Sequence, residues 1–120
     1  MQSFQDISHQ ALIEAVGEAI IATTPYGEIT YWNRAAEQIY GWSSEEAIGL
    51  SIMDVTVPES LRESAATVME RLRRGERWTG EFTARRKDGS LFPAVVTDTP
   101  VLDSAGTLTA IIGVSRDISD

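Results

Sequence analysis

Residues 78–120, WTGEFTARRKDGSLFPAVVTDTPVLDSAGTLTAIIGVSRDISD, contain three apolar-patterned runs separated by two turn signals, KDGS and DSAG. An Asp-Gly pair between two strand-like runs is the strongest short-range signal of a β-hairpin, so we predict a type I′ turn at Asp88 and Gly89. The second loop contains Gly106, which can take the left-handed conformation of a hairpin loop. We therefore predict an antiparallel meander of three strands.

Side chains along these runs alternate as they do in a sheet with one buried face. Trp78 and Phe82 are predicted to share a face of the first run, and Ile112 and Val114 a face of the last. Ile111 is apolar as well, so the last run carries apolar residues on both faces. One face of the sheet must be covered by other elements of the chain.

Two further short strands are predicted upstream, at residues 18–23 and 29–32, with a turn at residues 25–27, Pro-Tyr-Gly, between them. Pro presets the backbone of the first turn position, and Gly is permissive nearby. These strands therefore form a hairpin, which brings the predicted number of strands to five.

Three helices are predicted between the second and third strands. Asn33 can cap the first, and Ser43 with Glu46 forms the Ser-x-x-Glu capping box of the second. The longest helix, residues 59–74, has glutamates early and arginines late, which suits the helix dipole, and Gly75 ends it. The order of helices and strands predicts one α+β domain.

Residues 1–17 predict an amphipathic helix that flanks a core domain of residues 18–120. The apolar stripe of this helix is small for a helix that must anchor itself. It can pack on the sheet of its own chain or pair with the same helix of a second copy, and the sequence leaves both arrangements open.

The formal net charge is −8, and the chain has no cysteine and one histidine, His9. Thiol catalysis and thiolate metal ligation are therefore excluded.

Negative charge repels phosphate backbones and anionic lipids, so we expect no nucleic acid partner and no membrane contact. No apolar run approaches the ~20 residues of a membrane span, and the first ten residues lack a signal-peptide pattern. We expect a cytoplasmic location.

Four aspartates offer carboxylates for catalysis: Asp54, Asp98, Asp103 and Asp117. Their spacing pairs none of them on one element with a nucleophile or a set of metal ligands, and no glycine-rich phosphate loop is present. We therefore predict that the chain is not an enzyme and holds no metal.

Several segments occur together in an order and spacing that are typical of one family: ITYWNRAAEQIYGWSSEEAIG, VPES, RRGERWTGEF, RRKDGSLFP and GVSRDIS. With them, nearly the whole chain resembles a bacterial PAS (Per-Arnt-Sim) sensor domain. The resemblance implies a five-stranded antiparallel sheet in the order 2-1-5-4-3. It also implies that helices cup one face around a ligand cavity, while the other face accepts a flanking helix or a partner.

The same resemblance allows a test for cofactors. The flavin-binding branch of the family has a reactive cysteine where this chain has Ile52, and a glutamine where it has Ser115. A flavin–cysteine adduct is therefore excluded. Oxygen-sensing relatives take a haem-ligating histidine from the long helix, and residues 59–74 contain none. Histidine-ligated haem is not expected, and no cofactor is assigned.

The resemblance further implies which residues line the cavity, with plain core packing as the alternative. The candidates are Ile52, Met53, Val68, Met69, Leu72, Trp78, Phe82, Val96, Thr97, Ile112, Val114 and Ser115. Among these, Trp78, Thr97 and Ser115 would supply polar groups that orient a ligand. Glu46 is expected to form a surface ion pair with Arg86 or Lys87.

Two functions follow from these observations. In the first, a small apolar or amphipathic ligand shifts the last strand, and Asp117, Ile118 and Ser119, which stand where the family has Asp-Ile-Thr, relay the change. The receiver would be a linked output domain such as a histidine kinase or a diguanylate cyclase. In the second, the chain is a ligand-free homodimerisation and relay module that uses the N-terminal helix and the exposed sheet face.

Overall fold

The structure is a computed structural model that describes Ala11 and residues 17–119 of the 120-residue chain. The predicted flanking helix therefore lies outside the described residues, apart from Ala11 and Gly17. The described elements are β1 (Ala19–Thr23), β2 (Ile29–Trp32), α1 (Arg34–Tyr40), α2 (Ser44–Ala47), α3 (Ile52–Thr56), a 3-10 turn (Glu59–Leu61), α4 (Arg62–Arg73), β3 (Trp78–Arg85), β4 (Leu91–Leu102) and β5 (Leu108–Asp117).

The strands form one antiparallel sheet in the order β2-β1-β5-β4-β3, which confirms the predicted fold class. The last strand lies at the centre, since β5 pairs with β1 on one side and with β4 on the other. The long β3–β4–β5 meander is joined to the β1–β2 hairpin through the β1–β5 ladder. Residues that are far apart in the chain are thereby brought together around β5.

The turn between β3 and β4 differs from the predicted type I′ turn, which needs a positive φ at both central residues. Gly89 has a φ of 90°, but no non-glycine among the described residues has a positive φ, so Asp88 does not meet that requirement. The Asp88 carboxylate instead accepts hydrogen bonds from the backbone and the hydroxyl of Ser90, at 2.9 and 2.7 Å. This Asx-type contact stabilises a longer loop, so the hairpin is confirmed and the turn type was wrong.

The helix caps hold the helices against the sheet. Asn33 accepts a hydrogen bond from the Ala36 amide at 2.9 Å and one from the Ile20 amide of β1, also at 2.9 Å. One side chain thus caps α1 and fixes its start to the neighbouring strand. The capping box of Ser43 and Glu46 is present as predicted. The long predicted helix is a 3-10 turn followed by α4.

The hydrophobic core lies between the inner face of the sheet and the helices. Tyr40 is at its centre, with its ring 5.6 Å from Trp32 and 5.4 Å from Phe92 between centroids. The buried core residues are Ala19, Ile21, Ile29, Trp32, Ala36, Tyr40, Ala47, Val55, Ala84, Phe92 and Ala94. Towards α3 and α4 the packing is less complete, and a cavity opens there.

Candidate functional site

A cavity of about 120 Å³ lies between the inner face of the sheet and the helices α3 and α4. For scale, an apolar protein cavity of roughly 150 Å³ holds one benzene molecule. The cavity therefore has room for a compact molecule of about six heavy atoms. Its lining is mostly apolar, as is usual in small-molecule sites.

Nine of the predicted lining residues lie on the wall of this cavity: Ile52, Met53, Val68, Met69, Leu72, Trp78, Phe82, Val96 and Ser115. They come from α3, α4 and the three strands β3, β4 and β5. That these residues bind a ligand stays a prediction.

Three predicted residues lie elsewhere, so their assignment to the cavity was wrong. In β5 the side chains on the cavity wall are those of Ile111 and Ser115, and the alternation of the strand turns Ile112 and Val114 to the outer face. Thr97 pairs with Val114 and shares that outer face. Because β5 is apolar on both faces, its sequence pattern alone does not decide which face is covered.

Ten further residues line the cavity: Ile21, Thr23, Tyr40, Thr56, Val57, Ala65, Ala84, Asp98, Ile111 and Gly113. Tyr40 adds a polar group, because its hydroxyl is hydrogen-bonded to that of Ser115 at 2.8 Å. Burial raises the pKa of Tyr40, so this side chain is neutral and can donate. Its place directly before Gly41 marked the end of α1 but gave no sign of a cavity residue.

Asp98 places a carboxylate in this apolar wall. Its neighbour on β3 is Trp78 and its neighbour on β5 is Gly113, so the three positions form one row across the sheet. Burial raises the pKa of Asp98 from 3.8 to about 6. The carboxyl group is therefore still mostly ionised at pH 7. The sequence offered Asp98 only as one of four unpaired carboxylates.

Two glycines make room for the side chains in this row. A Cβ atom at Gly113 would lie 2.7 Å from the Asp98 Oδ1 atom, and a Cβ atom at Gly80 would lie 2.9 Å from the Trp78 ring. The Trp78 ring also packs edge-on to Phe82, with 6.4 Å between centroids. Small residues on the inner face thus allow the indole and the carboxylate to lie over the sheet.

The end of β5 has different polar contacts. Asp117 pairs with Arg86 at 2.6 Å, and it also accepts hydrogen bonds from the backbone and hydroxyl of Ser119. The Ser119 contacts, together with Arg86, lower the pKa of Asp117. The Ile118 amide donates to the Pro93 carbonyl at 3.0 Å. Asp117 and Ile118 are therefore tied to the β3–β4 hairpin, and Ser119 is bonded to Asp117.

Glu46 forms its ion pair with Lys87, since Arg86 is paired with Asp117. The hydrogen bond from Lys87 is the main cause of the lowered pKa of Glu46. This pair is exposed, so it is expected to contribute little to stability. It joins α2 to the β3–β4 loop, and the Lys87 amide donates a hydrogen bond to the carbonyl of the lining residue Tyr40 at 2.8 Å.

The family model described as PAS fold matches residues 9–118. The chain belongs to the PAS family. It is 30% identical to the bacterioopsin transcriptional activator of Halobacterium salinarum, over 100% of this chain and 18% of that protein. It is 29% identical to the sensor protein FixL of Bradyrhizobium diazoefficiens, over 70% of this chain and 17% of FixL.

A solved PAS domain from Colwellia psychrerythraea is 30% identical, with a TM-score of 0.78 over 87% of this chain and 88% of that one. PAS domains are sensory modules that are generally not catalytic, so this chain is a signal-sensing module. It spans less than one fifth of the two curated relatives, at 18% and 17%.

Flavin chemistry does not fit the residues present. A cysteinyl adduct needs a thiol, and the chain has no cysteine. A three-ring flavin also exceeds a cavity of about 120 Å³, which is close to the size that holds a single ring. Within residues 17–119, no group of three or more His, Cys, Asp or Glu side chains could hold a metal ion. The described helices include none that is both long and apolar enough to cross a membrane.

Proposed function

We propose that this PAS domain senses a small apolar or amphipathic molecule that binds in the cavity. The observation that carries the proposal is the course of β5. Its residues Ile111 and Ser115 lie on the cavity wall, and two residues after Ser115 the same strand reaches the Asp117–Arg86 pair. A ligand that moves the wall therefore acts on a strand that leads directly to the relay residues.

The output domain is part of the proposal. PAS domains commonly occur in longer chains, and this chain covers 17% of FixL. We propose that Asp117, Ile118 and Ser119 pass the state of β5 to a linked domain such as a histidine kinase or a diguanylate cyclase. A full switch from 1:99 to 99:1 needs a difference in ligand affinity of ~5.5 kcal/mol between the two states.

Native mass spectrometry beside denaturing mass spectrometry of the same purified sample tests ligand binding. We expect an added mass that survives only under native conditions. Val96→Phe fills the cavity and should remove the added mass, whereas Val114→Phe on the outer face is the matched control and should keep it. A bare chain in every preparation, with no thermal shift from cell extracts, contradicts the proposal.

We propose homodimerisation as a second function, carried by the outer face of the sheet. Ile112 is 37% exposed there, opposite Ala22, and Val114 lies opposite Ile20, so four apolar side chains form one patch. With the flanking helix of residues 1–17, this patch would contact a second copy. Sedimentation of the chain should show a dimer, and the Ile112→Glu variant should be monomeric. Ile48→Glu is the control, because Ile48 is also exposed but lies at the end of α2, so this variant should remain dimeric. A monomer at high concentration contradicts this.

We further propose that the domain is cytoplasmic, has no catalytic activity of its own and binds neither nucleic acid nor a membrane. The net charge of −8 supports the last two points, because it repels phosphate groups. Retention of the purified chain on a phosphate-bearing resin at physiological salt would contradict them.

A further inference from the structure

The Asp98 carboxylate is the feature of the cavity that the sensing proposal leaves unexplained. Every other lining side chain in the described part of the chain is apolar, an alcohol or the Tyr40 phenol. The neighbours of Asp98 shift its pKa through burial alone, and no described residue donates a hydrogen bond to its side chain. Burying a charged group without a partner is unfavourable, so a residue chosen for packing alone would be apolar.

The sheet accommodates this carboxylate specifically. Gly113 faces Asp98 across the β4–β5 ladder, and a Cβ atom there would meet Asp98 Oδ1 at 2.7 Å. On the other side Trp78 is the direct cross-strand partner of Asp98, and such pairs have Cβ atoms about 5 Å apart. The carboxylate therefore lies in a notch at the cavity wall, beside an aromatic ring.

The charged and titratable groups around Asp98 leave its charge uncompensated. The described lining residues from α3, α4, β1, β3 and β5 include no Lys, Arg or His. Tyr40 of α1 is the titratable side chain that interacts with Asp98, but its hydroxyl is hydrogen-bonded to Ser115. A positive charge at this position can be supplied by a molecule in the cavity.

We propose that the ligand of this cavity is a small organic ammonium ion whose charged nitrogen pairs with Asp98. Its apolar body of about five carbon atoms fills the space beside Met53, Val68 and Leu72, in keeping with a volume of about 120 Å³. The Trp78 ring adds attraction for the cation through its π face. This inference rests on the sensing function proposed above and names the chemistry of its ligand.

Three probes with one carbon skeleton test the charge requirement. They are 3-methylbutan-1-amine, the neutral 3-methylbutan-1-ol and the anion 3-methylbutanoate. Calorimetric titration of the 120-residue chain at pH 7 should show the amine binding at least tenfold more tightly than the alcohol. The anion should give no measurable binding, because Asp98 would repel it.

Asp98→Asn tests whether this carboxylate is the partner. The variant should lower amine affinity about tenfold or more, to the level of the alcohol, and should leave alcohol affinity unchanged. Glu81→Gln is the matched control, since Glu81 is an exposed carboxylate on the neighbouring strand β3 that points away from the cavity. It should bind all probes like the original chain.

A pH titration gives a second measurement that needs no variant. With a pKa of about 6, Asp98 is largely ionised at pH 7 and largely protonated at pH 5. Amine affinity should therefore fall about tenfold from pH 7 to pH 5, whereas alcohol affinity stays constant. The amine itself remains protonated over this range.

Several outcomes would overturn the inference. Equal binding of amine and alcohol, an amine affinity that Asp98→Asn leaves unchanged, or no binding of the amine each exclude the ammonium ligand. In the last case water is the partner of Asp98. Native mass spectrometry separates these results from failure of the sensing function, because a neutral or anionic molecule bound to the purified chain would keep that function and reject the ammonium.

Discussion

The cavity around Asp98 and the strand end around Asp117 place the same chemical group in opposite surroundings. Asp98 is partly withdrawn from water without gaining a partner from the described residues, and this burial raises its pKa to about 6. Asp117 accepts hydrogen bonds from Ser119 and pairs with Arg86, which lowers its pKa. The carboxylate at the strand end therefore has a positively charged partner, whereas the carboxylate at the cavity has none among the described residues.

This difference fixes opposite dependences of stability on pH. The pKa of Asp98 is higher in the folded chain, so its ionisation destabilises the fold, and stability falls as the pH rises from about 4 to about 6. The pKa of Asp117 is lower in the folded chain, so its contribution is present at neutral pH and is lost as the pH falls below about 4.

The largest expected effect is that of Asp98→Asn on the free energy of unfolding. The difference between 3.8 and about 6 in the pKa of Asp98 corresponds to roughly 3 kcal/mol. The variant should therefore be more stable than the original chain at pH 7, by up to roughly 3 kcal/mol. Urea unfolding at pH 4 and pH 7 measures this. A gain in the free energy of unfolding that is as large at pH 4 as at pH 7 would show that ionisation of Asp98 is not the cause. Glu81→Gln is the control and should give no gain at either pH.

Gly113→Ala should have the next largest effect. The new methyl group would meet Asp98 Oδ1 at 2.7 Å, and overpacking of this kind costs about 1–3 kcal/mol. A double-mutant cycle with Asp98→Ala identifies the contact, because removal of the carboxylate should abolish most of the loss. Additive effects of the two substitutions would show that Asp98 does not occupy the notch.

Tyr40→Phe should destabilise the cavity side by about 1–2 kcal/mol. It removes one partner of a buried hydrogen bond and leaves the Ser115 hydroxyl without it. Tyr26→Phe is the matched control, since Tyr26 is 83% exposed and should tolerate the change. Equal unfolding midpoints for both variants would mean that the hydroxyl pair contributes nothing.

The smallest expected change in stability is that of Asp117→Asn. Its ion pair is partly exposed, and such pairs contribute about 1 kcal/mol or less. The loss should be largest at pH 7 and should shrink as the pH falls below about 4, because the unfolded carboxylate then becomes protonated first and the folded one at a lower pH. Thermal unfolding without denaturant, measured from pH 7 downwards, tests this, and a loss that does not change with pH would point to a contact other than the charge.

The sequence predicts the frame of the molecule better than its interior. Strand positions, the Asn33 cap and the capping box depend on near neighbours in the chain, and the structure bears them out. The sheet order follows only from the PAS resemblance. The covered face of β5 could not be predicted, because Ile111 and Ile112 satisfy either orientation.

Asp98 shows a second limit of the sequence. The character of its site depends on Trp78 and Gly113, which are brought beside it only when β3 and β5 pair with β4. The turn at Asp88 has a different cause, because a hydrogen bond from Ser90, two residues further on, competes with the turn that an Asp-Gly pair favours. The contacts of Asp98 join residues far apart in the chain, whereas the contact of Asp88 is local and lies within the KDGS segment.

The central strand β5 also has a mechanical consequence. It is hydrogen-bonded along both edges, to β1 and to β4. A slip by one residue would turn Ile111 and Ser115 to the opposite face and break both ladders, so the strand is locked against sliding. Bending together with β1 and β4, or a change in the twist of the whole sheet, keeps the ladders intact. We therefore expect the domain to transmit a twisting motion of β5 at Asp117 instead of a displacement along the chain.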